Sequence, residues 1–136
     1  MHTLGHDFIP PPIHAGGLRY HGMAPTLCLL ANEGGVRVEA YNQVEVSEAA
    51  SMFVRAEGIV SAPEPAHAIR AAINEALRCR ETGEEVILFL LCGHGHFDMM
   101  GYGELLDGEL PPYKYPEEAR KAINRLLELY PWVKEL

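Results

Sequence analysis

The spacing of apolar residues predicts strands that alternate with helices after an irregular beginning. Residues 1–20 include a run of three prolines at 10–12, and proline cannot occupy a helix interior, so an extended stretch is predicted. Valine-rich alternation over 36–41 predicts a strand, and the apolar pair 59–60 predicts a short second one. The continuous apolar run 86–91 predicts a third strand, of the kind that is covered on both faces in a parallel sheet.

Helical spacing, with apolar residues at i, i+3 and i+4, separates these strands. It predicts helices over residues 24–33, 45–57, 65–81 and 116–130. Asn42 or Ser47 is expected to cap the second helix. Residues 98–115, which contain Pro111 and Pro112, are predicted to form a loop-rich stretch.

The resulting order predicts an α/β fold, a three-layer sandwich with a small, mostly parallel sheet. We expect one domain over 1–136: an extended glycine- and proline-rich segment (1–22), an αβ core (23–97), and a loop with a terminal helix (98–136). A chain of 136 residues is long enough for a real core. Three strands are nevertheless few for a complete doubly wound domain, which indicates a part of something larger.

Composition and charge exclude several classes of function. The net charge of −8 argues against a nucleic-acid partner, which would require clustered Lys and Arg. No apolar run reaches membrane-spanning length, and the first residues lack the pattern of a signal peptide, so the cytoplasm is expected. Three widely spaced cysteines indicate neither a disulfide framework nor a paired zinc motif.

The loop after the third predicted strand is the first candidate for a ligand site. Cys92-Gly93-His94-Gly95-His96 follows the strand directly, and open α/β sheets bind ligands at the carboxyl ends of their strands. Glycines there let the backbone approach a ligand closely. The alternative is a tight turn whose histidines are merely solvated.

Two charged residues and the histidines are further candidates. Glu64 lies between two prolines at the start of a helix. It is either a positioned acid or base in the same cleft as Cys92, because both residues follow parallel strands at the same edge of the predicted sheet, or a capping residue that benefits from the helix dipole. Arg19, in glycine-rich chain, is either an anion-binding fork or a surface arginine. Histidines that could ligate a metal are His14, His21, His67, His94 and His96. No spacing places two ligands on one helical face, so no metal site is predicted.

Four motifs carry a resemblance to a known family. They are PPPIHAGGLRYHG at 10–22, EGIV at 57–60, PEPAHA at 63–68 and GHGHFD at 93–98. In this order they resemble the carboxyl-terminal part of the tryptophan synthase β chain, and most closely its second, tryptophan-synthase-β-like type. The resemblance covers essentially this whole chain but only the final part of the family's own chain.

The resemblance implies a partial domain of a fold-type-II pyridoxal-phosphate enzyme, a family that joins L-serine and indole into L-tryptophan by β-replacement. Glu64 matches the family's catalytic carboxylate. Cys92 matches a residue, usually serine, whose side chain hydrogen-bonds the cofactor's pyridine nitrogen, and Gly93 and His94 continue that cofactor-binding loop. Backbone carbonyls near Tyr20 and Gly22 match a loop that holds a monovalent cation.

Two residues depart from the family pattern. A thiol at Cys92 is a weaker hydrogen-bond donor than a hydroxyl, so the cofactor contact is expected to be looser while staying neutral. Arg19 stands at a position that is acidic in the classical β chains, where it meets the substrate hydroxyl. A cation there suits an anionic leaving group, so the parent protein is expected to prefer O-phosphoserine.

Several parts of the family's machinery are missing from this sequence. Its three lysines are Lys114, Lys121 and Lys134, and none lies in the motif that binds the cofactor covalently. The phosphate-cradling loop is missing as well. We therefore expect a fragment that is inactive alone and does not bind the cofactor covalently. It would need the amino-terminal portion of the same enzyme or another β-type chain, and it would form homo-oligomers through uncovered apolar surface. The alternative is a non-catalytic ligand-binding or interaction domain derived from that family.

Overall fold

The computed structural model describes residues 1–83 and 85–113, and the single positions Glu117, Lys121 and Asn124. This part of the chain is mostly helical. Its helices are α1 (Pro25–Asn32), α2 (Gln43–Glu57), α3 (Pro63–Thr82) and α4 (Met99–Asp107), with 3-10 turns at Gly16–Leu18 and Gly95–Phe97. The helix predicted over 116–130 lies outside the described residues apart from the three single positions. Across the described ranges, no helix has the length and apolar character needed to cross a membrane.

The chain divides into two compact units, and among the described ranges the first includes Met1–Pro11 and Arg19–Val38. Its helix α1 confirms the prediction over 24–33. A proline occupies the first turn, where a missing N–H costs nothing, and Gly34 follows the helix with φ of 72°. The amino terminus is tied to the residues before α1. The N–H of Leu4 donates to the carbonyl of His21 (2.7 Å), and the N–H of Met23 donates to the carbonyl of His2 (2.9 Å).

The second unit comprises Pro12–Leu18 and Glu39–Tyr113. Helices α2 and α3 pack against each other here and confirm the helices predicted over 45–57 and 65–81. Asn42 caps α2 in a reciprocal capping box with Glu45, so the first of the two predicted caps is the one used. The core cluster consists of Val46, Ala50 and Ala66, with Tyr41 and Tyr102 packed against it.

The predicted sheet is not found in the described residues, where β-structure is limited to two isolated bridges. Residues 86–91 illustrate why no sheet forms among the described residues. Ile87 and Phe89 face a groove between α2 and α3, whereas Val86, Leu88 and Leu90 are 99%, 90% and 76% exposed. The side chains thus alternate as in a strand, but only one face is covered. A strand is recognised by the ladder of hydrogen bonds that pairs it with a neighbouring strand. The segments 36–41 and 59–60 form no such ladder here.

The prediction of a loop-rich stretch over 98–115 was wrong for the first half of that stretch, which forms α4. Two glycines lower the helix propensity of this segment. The helix forms because it packs on α2, and Tyr102 reaches the core cluster. Gly108 then ends it in the left-handed conformation, with φ of 73°.

Candidate functional site

The loop after residue 91 lies directly against the chain that leads into α3. The N–H of Ala62 donates to the carbonyl of Gly93 (3.0 Å), and the N–H of Gly95 donates to the carbonyl of Val60 (2.9 Å). Ser61 and His94 thereby form an isolated antiparallel bridge. The sequence predicts that these segments meet as ends of parallel strands. They meet, but the local pairing is antiparallel.

The contact requires glycine at two positions of the loop. A Cβ on Gly93 would come within 2.9 Å of the Cβ of Ala62, and one on Gly95 would strike the carbonyl oxygen of Ser61. The loop can therefore approach the start of α3 only because these residues lack a side chain. This close approach brings Cys92-Gly93-His94 next to the helix turn that carries Glu64.

Glu64 lies in the first turn of α3 and is half-buried. The backbone N–H of Gly17 donates to its Oε1 at 2.6 Å, a short bond in which the acceptor is charged when the carboxyl is ionised. The N-terminal end of a helix also favours negative charge. The Gly17 amide therefore holds the Glu64 side chain in a defined place.

The residues of the loop are not equivalent. Cys92 carries a free, exposed thiol. The ring of His94 is used locally, because its Nδ1 accepts from the N–H of His96 at 3.1 Å and caps the 3-10 turn that follows. The backbone of Gly93 holds the loop to Ala62. The side chains of Cys92, His94 and His96 are all exposed, and of these groups Nδ1 of His94 is already hydrogen-bonded within the loop.

Arg19, Tyr20 and Gly22 belong to the first unit, and the structure describes them there. The guanidinium of Arg19 donates through Nη2 to the carbonyl of Pro10 (3.1 Å). The hydroxyl of Tyr20 lies 3.9 Å from the sulfur of Met23. Gly22 pairs with Thr3 in an isolated antiparallel bridge. The stretch proposed to hold a cation is thus fixed through contacts of its own unit.

Sequence reasoning missed the residues that support the loop from α4. The hydroxyl of Tyr102 donates to the carbonyl of Ser61 (2.9 Å), and Ser61 is fully buried. Helical spacing of Met99, Tyr102 and Leu106 would have revealed α4, although two glycines obscured it. Among the described residues, no three His, Cys, Asp or Glu side chains are grouped as a metal site would need.

Comparison with known proteins identifies the relatives of this chain. It is 66% identical to tryptophan synthase beta chain 2 of Aquifex aeolicus over 111 residues, which is 81% of this chain. It is 62% identical to the tryptophan synthase beta chain of Thermococcus onnurineus over 119 residues, or 87% of this chain. It is also 60% identical to tryptophan synthase beta chain 2 of Pyrococcus abyssi over 84% of its length. No family model matches the chain.

These relatives define the class first: tryptophan synthase β chains. Within that class, the chain belongs to the tryptophan synthase β family of the second type and corresponds to its carboxyl-terminal part. It spans only about a quarter of the length of the relatives that it matches, 26% for the Aquifex aeolicus protein and 27% for that of Thermococcus onnurineus. The resemblance seen in the motifs is thereby confirmed.

Proposed function

We propose that this chain is the carboxyl-terminal segment of a tryptophan-synthase-β-type enzyme that joins indole to L-serine or O-phosphoserine, and that it is inactive alone. The observation that carries the proposal is the contact between the loop 92–95 and the start of α3. Two backbone hydrogen bonds hold this loop against the chain that leads into α3, and the first turn of α3 carries the candidate carboxylate, Glu64. Family membership supports the same pairing of roles.

The residues present fit one wall of a pyridoxal-phosphate site. Cys92 is exposed and uncharged as a thiol, which suits a neutral partner for the ring nitrogen, and Gly93 brings the main chain close to that position. Glu64 would hold a proton or release it at its carboxylate oxygens. The cofactor, when bound, supplies an electron sink for chemistry at the β carbon. None of the chain's three lysines lies in the motif by which the family binds the cofactor covalently, so a partner segment would supply that attachment.

The substrate preference that we propose rests on Arg19. Its guanidinium is a planar fork of donors that matches a phosphate group better than a serine hydroxyl. Arg19→Asp in a functional assembly should therefore shift the preference from O-phosphoserine towards serine, measured as the ratio of kcat/KM for the two substrates. An unchanged ratio would contradict this assignment. We also assign the backbone carbonyls near Tyr20 and Gly22 to a monovalent cation.

The partner that we propose is the amino-terminal portion of the same enzyme or of another β-type chain. A groove of about 320 Å³ is lined by apolar side chains of α2, α3 and the segment 86–91. The outer side chains of that segment are exposed, and continuous apolar runs of this kind are normally covered on both faces. The partner would supply the neighbouring strands that complete the sheet. Homo-oligomers would form through the same surface, and the cytoplasm remains the predicted compartment.

The second candidate is a non-catalytic ligand-binding or interaction domain derived from the same family. The observation that favours it is the same exposed apolar surface, which would bind a partner whether or not chemistry followed. The two candidates differ in what Glu64 does. It must be essential in the first and dispensable in the second.

Mixing experiments separate the two candidates. The chain would be combined with a separately produced amino-terminal segment of a second-type β chain, together with pyridoxal phosphate, indole and either serine or O-phosphoserine. We expect tryptophan formation that Glu64→Ala abolishes. A matched control, Glu48→Ala on α2, should retain activity. If the segments bind each other but yield no tryptophan, the interaction domain is favoured; if Glu64→Ala stays active, the assigned role of Glu64 is wrong.

A further inference from the structure

The carboxylate of Glu64 is held by a chain segment that is distant in sequence. Gly17, which donates to Glu64, belongs to the stretch Pro12–Leu18. A Cβ on Gly17 would lie 2.9 Å from the same carboxylate oxygen, so only glycine lets the amide approach this closely without displacing the side chain. The position of Glu64 therefore depends on where that stretch lies.

The stretch is fixed by His14. Its Nε2 lies 2.9 Å from Oε2 of Glu104 on α4, and the two side chains are 31% and 32% exposed. Its backbone N–H makes a long contact of 3.5 Å with Oε1 of Gln43 at the start of α2. A Cβ on Gly101 would come 3.3 Å from the imidazole, so the bare backbone there accommodates the ring.

The connection from His14 to Gly17 is short and internally bonded. Ala15 is buried, and its carbonyl accepts from the N–H of Leu18 at 2.9 Å, which closes the 3-10 turn Gly16–Leu18. A displacement of His14 would therefore move the amide of Gly17. Hydrogen bonds weaken steeply as distance and angle depart from their optimum.

We propose that His14 and Glu104 are positioning residues for Glu64. Their pairing holds the turn that presents the Gly17 amide to the carboxylate, so Glu64 is set from α4 through the backbone of another segment. The inference rests on the proposed function only in taking Glu64 as the carboxylate that acts on substrate. The positional coupling itself concerns the chain as it stands.

The test measures the coupling between Gly17 and Glu64 by NMR on the full chain. The chemical shift of the Gly17 amide proton is compared between the unmodified chain and the Glu64→Gln variant, because replacing the acceptor carboxyl by an amide changes that shift. The same pair is then measured with His14→Ala and with Glu104→Ala. We expect each of these to remove most of the Glu64→Gln effect and to speed hydrogen exchange at Gly17. Glu104→Gln, which keeps an acceptor oxygen, should retain most of it.

A matched control removes another histidine–carboxylate pair. His6 and Asp7 lie 3.0 Å apart and are both 92% exposed, so His6→Ala should leave the Gly17 signal unchanged. If His14→Ala does not fold, Glu104→Ala decides the matter. A full-sized Glu64→Gln effect in either folded variant would overturn the proposal. The readout needs no cofactor or partner, so failure to form tryptophan in the mixing experiment would leave this result intact.

Discussion

The hydroxyl of Tyr102 donates a hydrogen bond of 2.9 Å to the backbone carbonyl of Ser61, which lies 41 residues earlier in the chain. Ser61 has no exposed surface, so its carbonyl depends on this partner for satisfaction. The bond ties α4 to the strand-like segment that pairs with the candidate cofactor loop. Tyr102, which lies outside the candidate site, therefore helps to support it.

Tyr102→Phe should destabilise the chain by about 1 kcal/mol, because it removes the hydroxyl and leaves a buried acceptor unpaired. Denaturant unfolding followed by circular dichroism measures the change. Tyr20→Phe is the matched control, since that hydroxyl makes only a 3.9 Å contact with the sulfur of Met23 at an exposed position. Equal free energies of unfolding for the two variants would show that the Tyr102 hydrogen bond does not contribute to stability.

Gly95→Ala should destabilise the chain by roughly 1–3 kcal/mol, the usual range when an added methyl group has no room. Its Cβ would strike the carbonyl oxygen of Ser61, and it would lie 2.9 Å from Cγ1 of Val60. Gly103→Ala is the control, because nothing lies within 4 Å of a Cβ there and alanine favours the helix. Thermal unfolding of the two variants should show opposite shifts in Tm. A Tm for Gly95→Ala at or above that of the parent chain would contradict the packing described.

Leu88→Lys should weaken self-association, since this side chain is 90% exposed on the uncovered face of the segment 86–91. Sedimentation at increasing concentration measures the effect. Leu106→Lys on α4, where the leucine is 70% exposed, is the control and should associate like the parent. A parent chain that stays monomeric at high concentration would contradict the predicted homo-oligomer.

The carboxylate of Glu39 accepts from the hydroxyl of Tyr41 and raises the pKa of Tyr41 above its ordinary value of 10.0. Because the pKa is raised on folding, the neutral phenol adds stability below pH 10.0, and this is lost as the pH rises through the raised value. Glu39→Gln should lower the pKa of Tyr41. Asn74 donates to the Tyr41 oxygen (3.2 Å) and favours the phenolate, so Asn74→Ala should raise the pKa further. Shifts of the same sign in an NMR titration would contradict this network.

The first three predicted helices were correct because their signals are local. Periodicity, a proline at the start and a capping residue such as Asn42 act within a few residues of one another. The contact of the loop 92–95 with the start of α3 was also predicted in outline, since both segments follow apolar runs. The helix α4 was missed because its stability comes from packing on α2, which outweighs the two glycines in it.

The sheet was predicted from strands that need neighbours to form. Residues 86–91 keep the alternation of a strand, yet a ladder is a relation between segments and cannot be read from one of them. The couplings of Glu64 to Gly17 and of His14 to Glu104 were likewise beyond reach. The first pair is separated by 47 positions in the chain and the second by 90, and a local sequence pattern does not predict contacts between residues so far apart.

We predict that this chain completes a tryptophan-forming site in which Glu64 is an essential carboxylate. The most direct test replaces the carboxyl-terminal quarter of the Aquifex aeolicus tryptophan synthase beta chain 2 with this chain and measures tryptophan formation from indole and serine or O-phosphoserine. We predict an active chimera that Glu64→Ala inactivates while its bound cofactor spectrum persists. A folded, cofactor-bound chimera that forms no tryptophan would contradict the proposed function, and one that stays active with Glu64→Ala would contradict the role of Glu64.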